Sequence, residues 1–280
     1  FDLLLDLQAS WRANALAFRV HAPIKLGFDR RRARDGQWLF TNRRIAPAAR
    51  AHVAEGFLSF GDALGIARGP LRWDIPIPAA DRAFAAGLIA DDRPTMVLSP
   101  CSSQRARNFR NGPVARYTEV VRRAWEALGV RTLVTGGRTA LERDYASALC
   151  ASNPGHCIDL VGQTSLKQLL ALIERALCVL APDSGPVHMA SAAGTPAIGL
   201  YATSNPARTG PLDQRWCVNV YAQALQTFGG RSVEQVRWGQ RVRDPAALEL
   251  IGVDASEMPH LTAYVDRLKG RPALQRALAL

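Results

Sequence analysis

No stretch of the sequence approaches the roughly 20 uninterrupted apolar residues that a spanning helix requires, so no transmembrane helix is expected. Nor does the opening Phe1-Asp2-Leu3-Leu4-Leu5-Asp6 carry a basic leader or a small-residue cleavage site. A cytoplasmic protein, or one peripheral to the inner face of the cytoplasmic membrane, is expected. Cysteine is scarce and ill-placed for a framework: Cys101, Cys150, Cys157, Cys178 and Cys217 make an odd count without CxxC spacing. They read as small buried or loop residues in a reducing compartment. The five histidines do not cluster either, so neither a structural metal nor a cofactor is expected. No GxxxxGK[ST] run is present, which disfavours a P-loop ATPase, and no GxGxxG opens the first helix of the regular region, which disfavours a nicotinamide dehydrogenase. The basic residues form no RRM, KH or zinc-finger pattern, so no nucleic-acid partner is expected.

What is present is the composition of a folded chain: 280 residues, 48% apolar and 21% charged, enough for one large α/β unit or two modest domains. The net charge of +11, carried by arginine far more than lysine, suits a polyanion or an anionic surface.

Phe1 to Leu7 reads as a short buried strand, Ala13 to Val20 as a helix and Ile24 to Phe28 as a second strand. An arginine-dense connection follows, Arg30-Arg31-Arg32-Ala33-Arg34 and then Asn42-Arg43-Arg44. Val53, Phe57, Phe60 and Leu64 recur at helical spacing, and Gly65 ends that helix. Prolines crowd between Pro70 and Pro94, where a domain junction is placed: residues 1–90 form one domain and 91–280 another. Beyond it the alternation is regular. Strands are expected at Thr95–Ser99, Thr132–Thr135, Cys157–Asp159, Leu177–Ala181 and Ala197–Tyr201. Helices are expected at Val114–Leu128, Leu141–Leu149, Ser165–Ala176 and Val187–Ala193. That pattern implies a parallel sheet covered on both faces, with ligands at the carboxyl ends of its strands. After Pro211 the signal weakens until a closing helix at Glu257–Leu268.

The strongest local signal is Ala181-Pro182-Asp183-Ser184-Gly185-Pro186-Val187-His188. A strand ends, a glycine turn follows, and Pro186 occupies a first-turn position that tolerates the missing N–H. The free amides there suit an anion such as a diphosphate. Asp183 reads either as an acceptor for sugar hydroxyls or as a helix cap. His188 reads either as a donor to a phosphate or ribose oxygen or as a buried histidine satisfied by the backbone. A second anion-suited loop is Ser99 to Arg110, where Ser102 and Ser103 precede a series of arginines; its bland reading is a solvated basic loop. Gly136-Gly137-Arg138 is weak, since two glycines also make an ordinary turn.

Asp183-Ser184-Gly185-Pro186-Val187-His188, together with Gly162-Gln163-Thr164-Ser165-Leu166, Gly194-Thr195-Pro196 and Tyr201-Ala202-Thr203-Ser204-Asn205-Pro206-Ala207-Arg208-Thr209-Gly210-Pro211, resembles the bacterial heptosyltransferases of glycosyltransferase family 9. Phe1-Asp2-Leu3-Leu4-Leu5-Asp6-Leu7-Gln8 and Gly27-Phe28-Asp29-Arg30 extend the resemblance over almost the whole chain. It implies a GT-B fold of two Rossmann-like α/β domains with parallel sheets, the N-terminal one lacking its first strands. It implies an inverting, metal-independent transfer of heptose from ADP-L-glycero-D-manno-heptose to the anionic lipid A and inner-core acceptor of lipopolysaccharide, by a monomer.

The same resemblance assigns donor contacts to Asp183, Ser184, Gly185 and His188. Ser102 and Ser103 become the hydroxyl pair on the diphosphate, and Arg107 its charge stabiliser. Arg105, Asn108 and Thr164 are further donor contacts, and Arg208 and Thr209 close the pocket. The general-base aspartate of the family is expected upstream of residue 1. Arg30, Arg31, Arg32 and Arg34 acquire an anionic acceptor at a membrane surface as their partner, the alternative being a solvated basic face. Two other readings are a related glycosyltransferase using another activated sugar and a nucleotide-sugar-binding protein with impaired catalysis.

Overall fold

The computed structural model describes residues 1–102, 109–212 and 217–251. The chain divides into two compact units, Phe1–Leu71 and Arg72–Leu280. The division falls inside the proline-rich stretch, and residues 72–90 pack with the second unit rather than the first.

The first unit carries β1 (Leu3–Leu5), α1 (Trp11–Arg19), β2 (Ile24–Gly27), β3 (Arg43–Arg44) and α2 (Val53–Ala63). The strands form a parallel sheet in the order β1-β2-β3, with Leu3 opposite Ile24 and Leu26 opposite Arg43. Its small core gathers Leu26, Ile45 and Phe60, with Phe28 against them. Gln37 is fully buried and ties the unit together: its side-chain amide donates to the Asp6 carbonyl at 2.9 Å and accepts from the Phe28 amide at 3.1 Å. The expectation of a buried first strand is corrected. Among the described residues β1 pairs only with β2, and Leu3 and Leu5 on one of its faces are exposed. An apolar run of this length reports strand propensity but not whether anything covers it.

The second unit opens with α3 (Ala79–Leu88), continues through β4 (Thr95–Leu98), α4 (Val114–Leu128), β5 (Arg131–Val134), α5 (Ala140–Ser152), β6 (Cys157–Asp159) and α6 (Leu166–Arg175), and then β7 (Cys178–Pro182), α7 (Gly185–Ala193) and β8 (Ala197–Tyr201). A short turn of helix α8 (Pro206–Thr209), β9 (Cys217–Asn219), α9 (Tyr221–Gly229) and a 3-10 turn at Pro245–Leu250 complete it. Six parallel strands lie in the order β6-β5-β4-β7-β8-β9. β4 and β7 are buried along their whole length, as apolar strands covered on both faces must be. One face packs Leu98, Val121, Val134 and Leu149 beneath α4 and α5. The other packs Val97, Leu133, Val179, Leu172 and Val187 beneath α3, α6 and α7.

Among the elements that the sequence pattern does not reveal are α3, β9 and α9. α3 lies inside the proline-rich stretch, where Pro78 is its N-cap residue and not a linker signal; Ala85 is fully buried against the α6 side of the core. β9 and α9 follow Pro211, and Tyr221, Ala224 and Leu225 pack there with Val242 and Leu248. The closing helix expected at Glu257–Leu268 lies outside the described residues. No helix among the described residues is long and apolar enough to cross a membrane.

Candidate functional site

The strand order reverses at β4. From β4 the chain builds outward through β5 and β6, then returns to the other side of β4 with β7 and builds outward again. Loops leaving the carboxyl ends of β4 and β7 therefore diverge and open a crevice between them. At the root of the β4 loop the Ser99 amide still donates to the Leu180 carbonyl at 3.0 Å, and Ser99 Oγ shares a buried 2.6 Å hydrogen bond with Thr135 Oγ1. Cys101 and Ser102 are buried, and the Ser102 amide donates to Asn111 Oδ1 at 2.9 Å. Burial, with a smaller contribution from the Glu142 charge, pushes the Cys101 thiol up to about 12. Ser103, Arg105, Arg107 and Asn108 lie outside the described residues. Arg110, where the loop is again described, reaches across the crevice: its Nη1 donates to the Asp183 carbonyl at 2.6 Å and stands 3.5 Å from Asp183 Oδ2.

Asp183 follows β7 and retains 8% side-chain exposure. It does not cap α7. Ser204 Oγ, from the loop after β8, donates to its Oδ2 at 2.7 Å. The residue at the helix N-cap is Ser184, and its hydroxyl turns back to the Pro182 carbonyl at 3.1 Å, leaving α7 without any side-chain cap. Pro186 within the first turn removes one amide from those that need a partner, and Gly185 stands in open space, where an added Cβ would meet nothing within 4 Å. His188 is exposed on the same first turn. The structure thus brings Asp183, Ser184, Gly185 and His188 together at a helix start whose N-cap side chain makes no capping bond, a positive end suited to an anion.

The neighbouring loops are more committed. The Gly137 amide donates to Glu142 Oε1 at 2.8 Å, and Thr139 donates its amide and hydroxyl to Oε2 at 3.1 and 2.6 Å. Burial raises the Glu142 carboxyl, but the bonds from Thr139 and Gly137 together outweigh it and hold the group below the usual glutamate value. A carboxylate therefore sits against the glycine pair, on a Thr139-to-Glu142 capping box whose spacing is legible in the sequence. Ser165 is likewise spent on a capping box with Gln168, while Thr164 before it is half-buried. Beyond β8, Arg208 and Thr209 border a recess with Ser204, Asn205, Trp238 and Gly239. Arg208 lies over Gly239, where a Cβ would come within 3.2 Å of its Nε. The Val242 amide donates to the Thr203 carbonyl at 3.0 Å and fixes this strap to the sheet edge. Tyr201 is fully buried nearby; burial, then the Asp183 charge, raises its phenol.

In the first unit the four arginines separate. Arg32 is half-buried, ion-paired to Asp29, bonded to the Ala46 carbonyl at 2.7 Å and placed over the Phe28 ring. Arg30, Arg31 and Arg34 are exposed. Among the described residues no group of three or more His, Cys, Asp or Glu side chains is placed to hold a metal ion. The sequence shows Ser204 and Arg110 only as members of longer runs, with no role of their own, and does not mark the strap near Trp238. Ser204 and Arg110 act on a residue far away in the chain, and nothing local marks them.

Comparison with known proteins bears on the fold and the family. The profile of the family described as "Glycosyltransferase family 9 (heptosyltransferase)" matches residues 1–235. The lipopolysaccharide core heptosyltransferase OpsX of Haemophilus influenzae is 36% identical over 259 residues, covering 91% of this chain and 72% of that protein. Among solved structures, the glycosyl transferase family 9 protein of Veillonella parvula superposes with a TM-score of 0.69 at 19% identity, over 95% of this chain and 74% of that one. The Escherichia coli heptosyltransferase WaaC with ADP gives 0.60 at 22% identity, over 75% of this chain and 63% of that one. The fold is accordingly a GT-B-like two-domain α/β fold with parallel sheets.

Proposed function

The chain belongs to glycosyltransferase family 9, and from that premise we propose that it transfers heptose from ADP-L-glycero-D-manno-heptose to the lipopolysaccharide inner core, with inversion and without a metal. The observation that carries the reading is the turn after β7, where an uncapped helix start, an open glycine and a buried, oriented carboxylate meet at the topological switch point. The diphosphate lies against the α7 amides and Ser102, and the family resemblance adds Ser103, Arg105, Arg107 and Asn108 as its further contacts. Asp183 accepts from the sugar hydroxyls, and His188 donates to a phosphate or ribose oxygen. Support for ADP as the nucleotide comes from the WaaC structure, which holds it.

Charge accumulates on the diphosphate as the glycosidic bond breaks, and fixed amide dipoles aimed at it stabilise the departing group more than the intact donor. That difference is the catalytic contribution of this half of the site. On the acceptor side, Arg30, Arg31 and Arg34 face solvent and suit an anionic lipid A core at a membrane surface, at about 1 kcal/mol per basic residue. Arg32, which is turned inward, contributes by holding their loop.

Calorimetric titration with ADP and ADP-heptose, with Asp183→Ala as the control, tests the proposal. Tighter binding of ADP-heptose than of ADP, lost in the control, is the expected result. A folded wild-type sample that binds neither overturns it.

A further inference from the structure

On the reading that Asp183 contacts the donor sugar, we propose that Ser204 and Arg110 are positioning residues that aim its carboxylate, holding Oδ2 and the main-chain carbonyl so that Oδ1 is presented to the sugar hydroxyls. A carboxylate with only 8% of its side chain exposed is expected to be met by fixed hydrogen-bond donors. The Asp183 oxygens are treated unequally. Oδ2 accepts from Ser204 Oγ at 2.7 Å and has Arg110 Nη1 at 3.5 Å. Oδ1 accepts from no described residue, yet it is not among the fully buried polar atoms left without a partner, so it keeps access to solvent or a ligand.

Arg110 is closer to the backbone than to the carboxylate. At 2.6 Å its Nη1 holds the Asp183 carbonyl, the oxygen of the residue that turns the chain from β7 into α7. The arginine thus fixes the turn, and Ser204 fixes the rotation of the side chain on that turn. Neither contact is local: the arginine comes from the β4 loop and the serine from the β8 loop. Ser204 is itself buried at 4% exposure in a segment anchored by the Thr203 carbonyl. A helix cap would explain an aspartate here without invoking a sugar, but α7 has no side-chain cap.

Positioning predicts a split between the two parts of the donor. ADP contacts the amides and basic groups, whereas the heptose depends on the direction of the Asp183 carboxylate. The full chain is titrated with ADP and with ADP-heptose for wild type, Ser204→Ala, Ser204→Thr and Arg110→Met, with thermal melts of each. Loss of a hydrogen bond to a charged group corresponds to about a tenfold effect or more. Ser204→Ala is expected to lose about tenfold in its preference for ADP-heptose over ADP while ADP affinity is unchanged, and Ser204→Thr, which keeps the hydroxyl, to recover it. Arg110→Met is expected to show the same split. An unchanged preference in a folded Ser204→Ala sample, or an equal loss for ADP and ADP-heptose, overturns the positioning role while the donor reading stands. Should Ser204→Ala fail to fold, Arg110→Met decides by the same ratio. A wild-type chain with no preference for ADP-heptose instead brings down the donor reading and this role together.

Discussion

A Cβ placed on Gly199 would stand 2.6 Å from Cε2 of Tyr201, two residues along the same strand, because the tyrosine ring folds back over the glycine. The ring is fully buried and cannot retreat, so the glycine is required for close approach rather than for an unusual backbone angle. Gly199→Ala is expected to destabilise the protein by about 1–3 kcal/mol through overpacking. It should also weaken ADP-heptose binding, since Tyr201 lies beside Asp183. Urea unfolding monitored by tyrosine and tryptophan fluorescence, alongside calorimetry, checks both.

Two serines before helices should behave differently. Ser165 accepts the Gln168 amide at 3.1 Å in a reciprocal box, whereas Ser184 turns to the Pro182 carbonyl and caps nothing. Ser165→Ala is expected to cost about 0.5–2 kcal/mol. Ser184→Ala should cost clearly less on the same denaturation curve, and an equal cost would contradict the assignment of an open α7 start.

The Thr139–Glu142 box gives a pH-dependent prediction. The Glu142 carboxyl is held below its ordinary value of 4.5, so its stabilising contribution is fully present above that value and is lost as the pH falls through the lower, folded-state value. Glu142→Ala is expected to cost about 0.5–2 kcal/mol at neutral pH. The difference from wild type should shrink on acidification, which melting curves across the acid range measure.

Arg32 and Arg31 are adjacent in sequence but differ in burial. Arg32→Ala removes an ion pair, a bond to the Ala46 carbonyl and ring contact, and is expected to destabilise by about 1–3 kcal/mol. Arg31→Ala should leave stability within about 0.5 kcal/mol. Instead, it should reduce the salt-sensitive binding of the chain to anionic vesicles.

The thiols should be quiet. Cys101 and Cys217 are pushed up to about 12 by burial, with Glu142 and Asp183 adding to it in turn, and burial also raises Cys157. The reactive thiolate is therefore minor at pH 8. Alkylation with iodoacetamide followed by mass spectrometry is expected to label these positions only after unfolding.

Much of the second unit was legible because its pattern is local. Val114–Leu128, Cys157–Asp159 and Ala197–Tyr201 coincide with the observed elements, since apolar strand runs and a helical stripe bounded by Pro113 and Gly129 need no distant information. The same logic failed at α3, where Pro78 marks a helix start as readily as a linker, and at β1, whose exposure depends on what packs beside it. At the site, the turn from Asp183 to His188 was legible as a motif. The partners that hold Asp183 away from a capping role were not, because Ser204 and Arg110 are 21 and 73 residues away. Ser103, Arg105, Arg107 and Asn108, expected as donor contacts, lie outside the described residues.

The reversal of strand order at β4 also sets when the site comes into being. Residues 110 and 183 meet only after β7 has threaded back beside β4, a pairing of high contact order that forms late in comparison with the neighbouring helices. A nascent chain released before β7 would hold a sheet fragment but no crevice. Donor affinity is therefore expected only once β7 has paired with β4, and donor present during refolding should favour the states in which that pairing has formed.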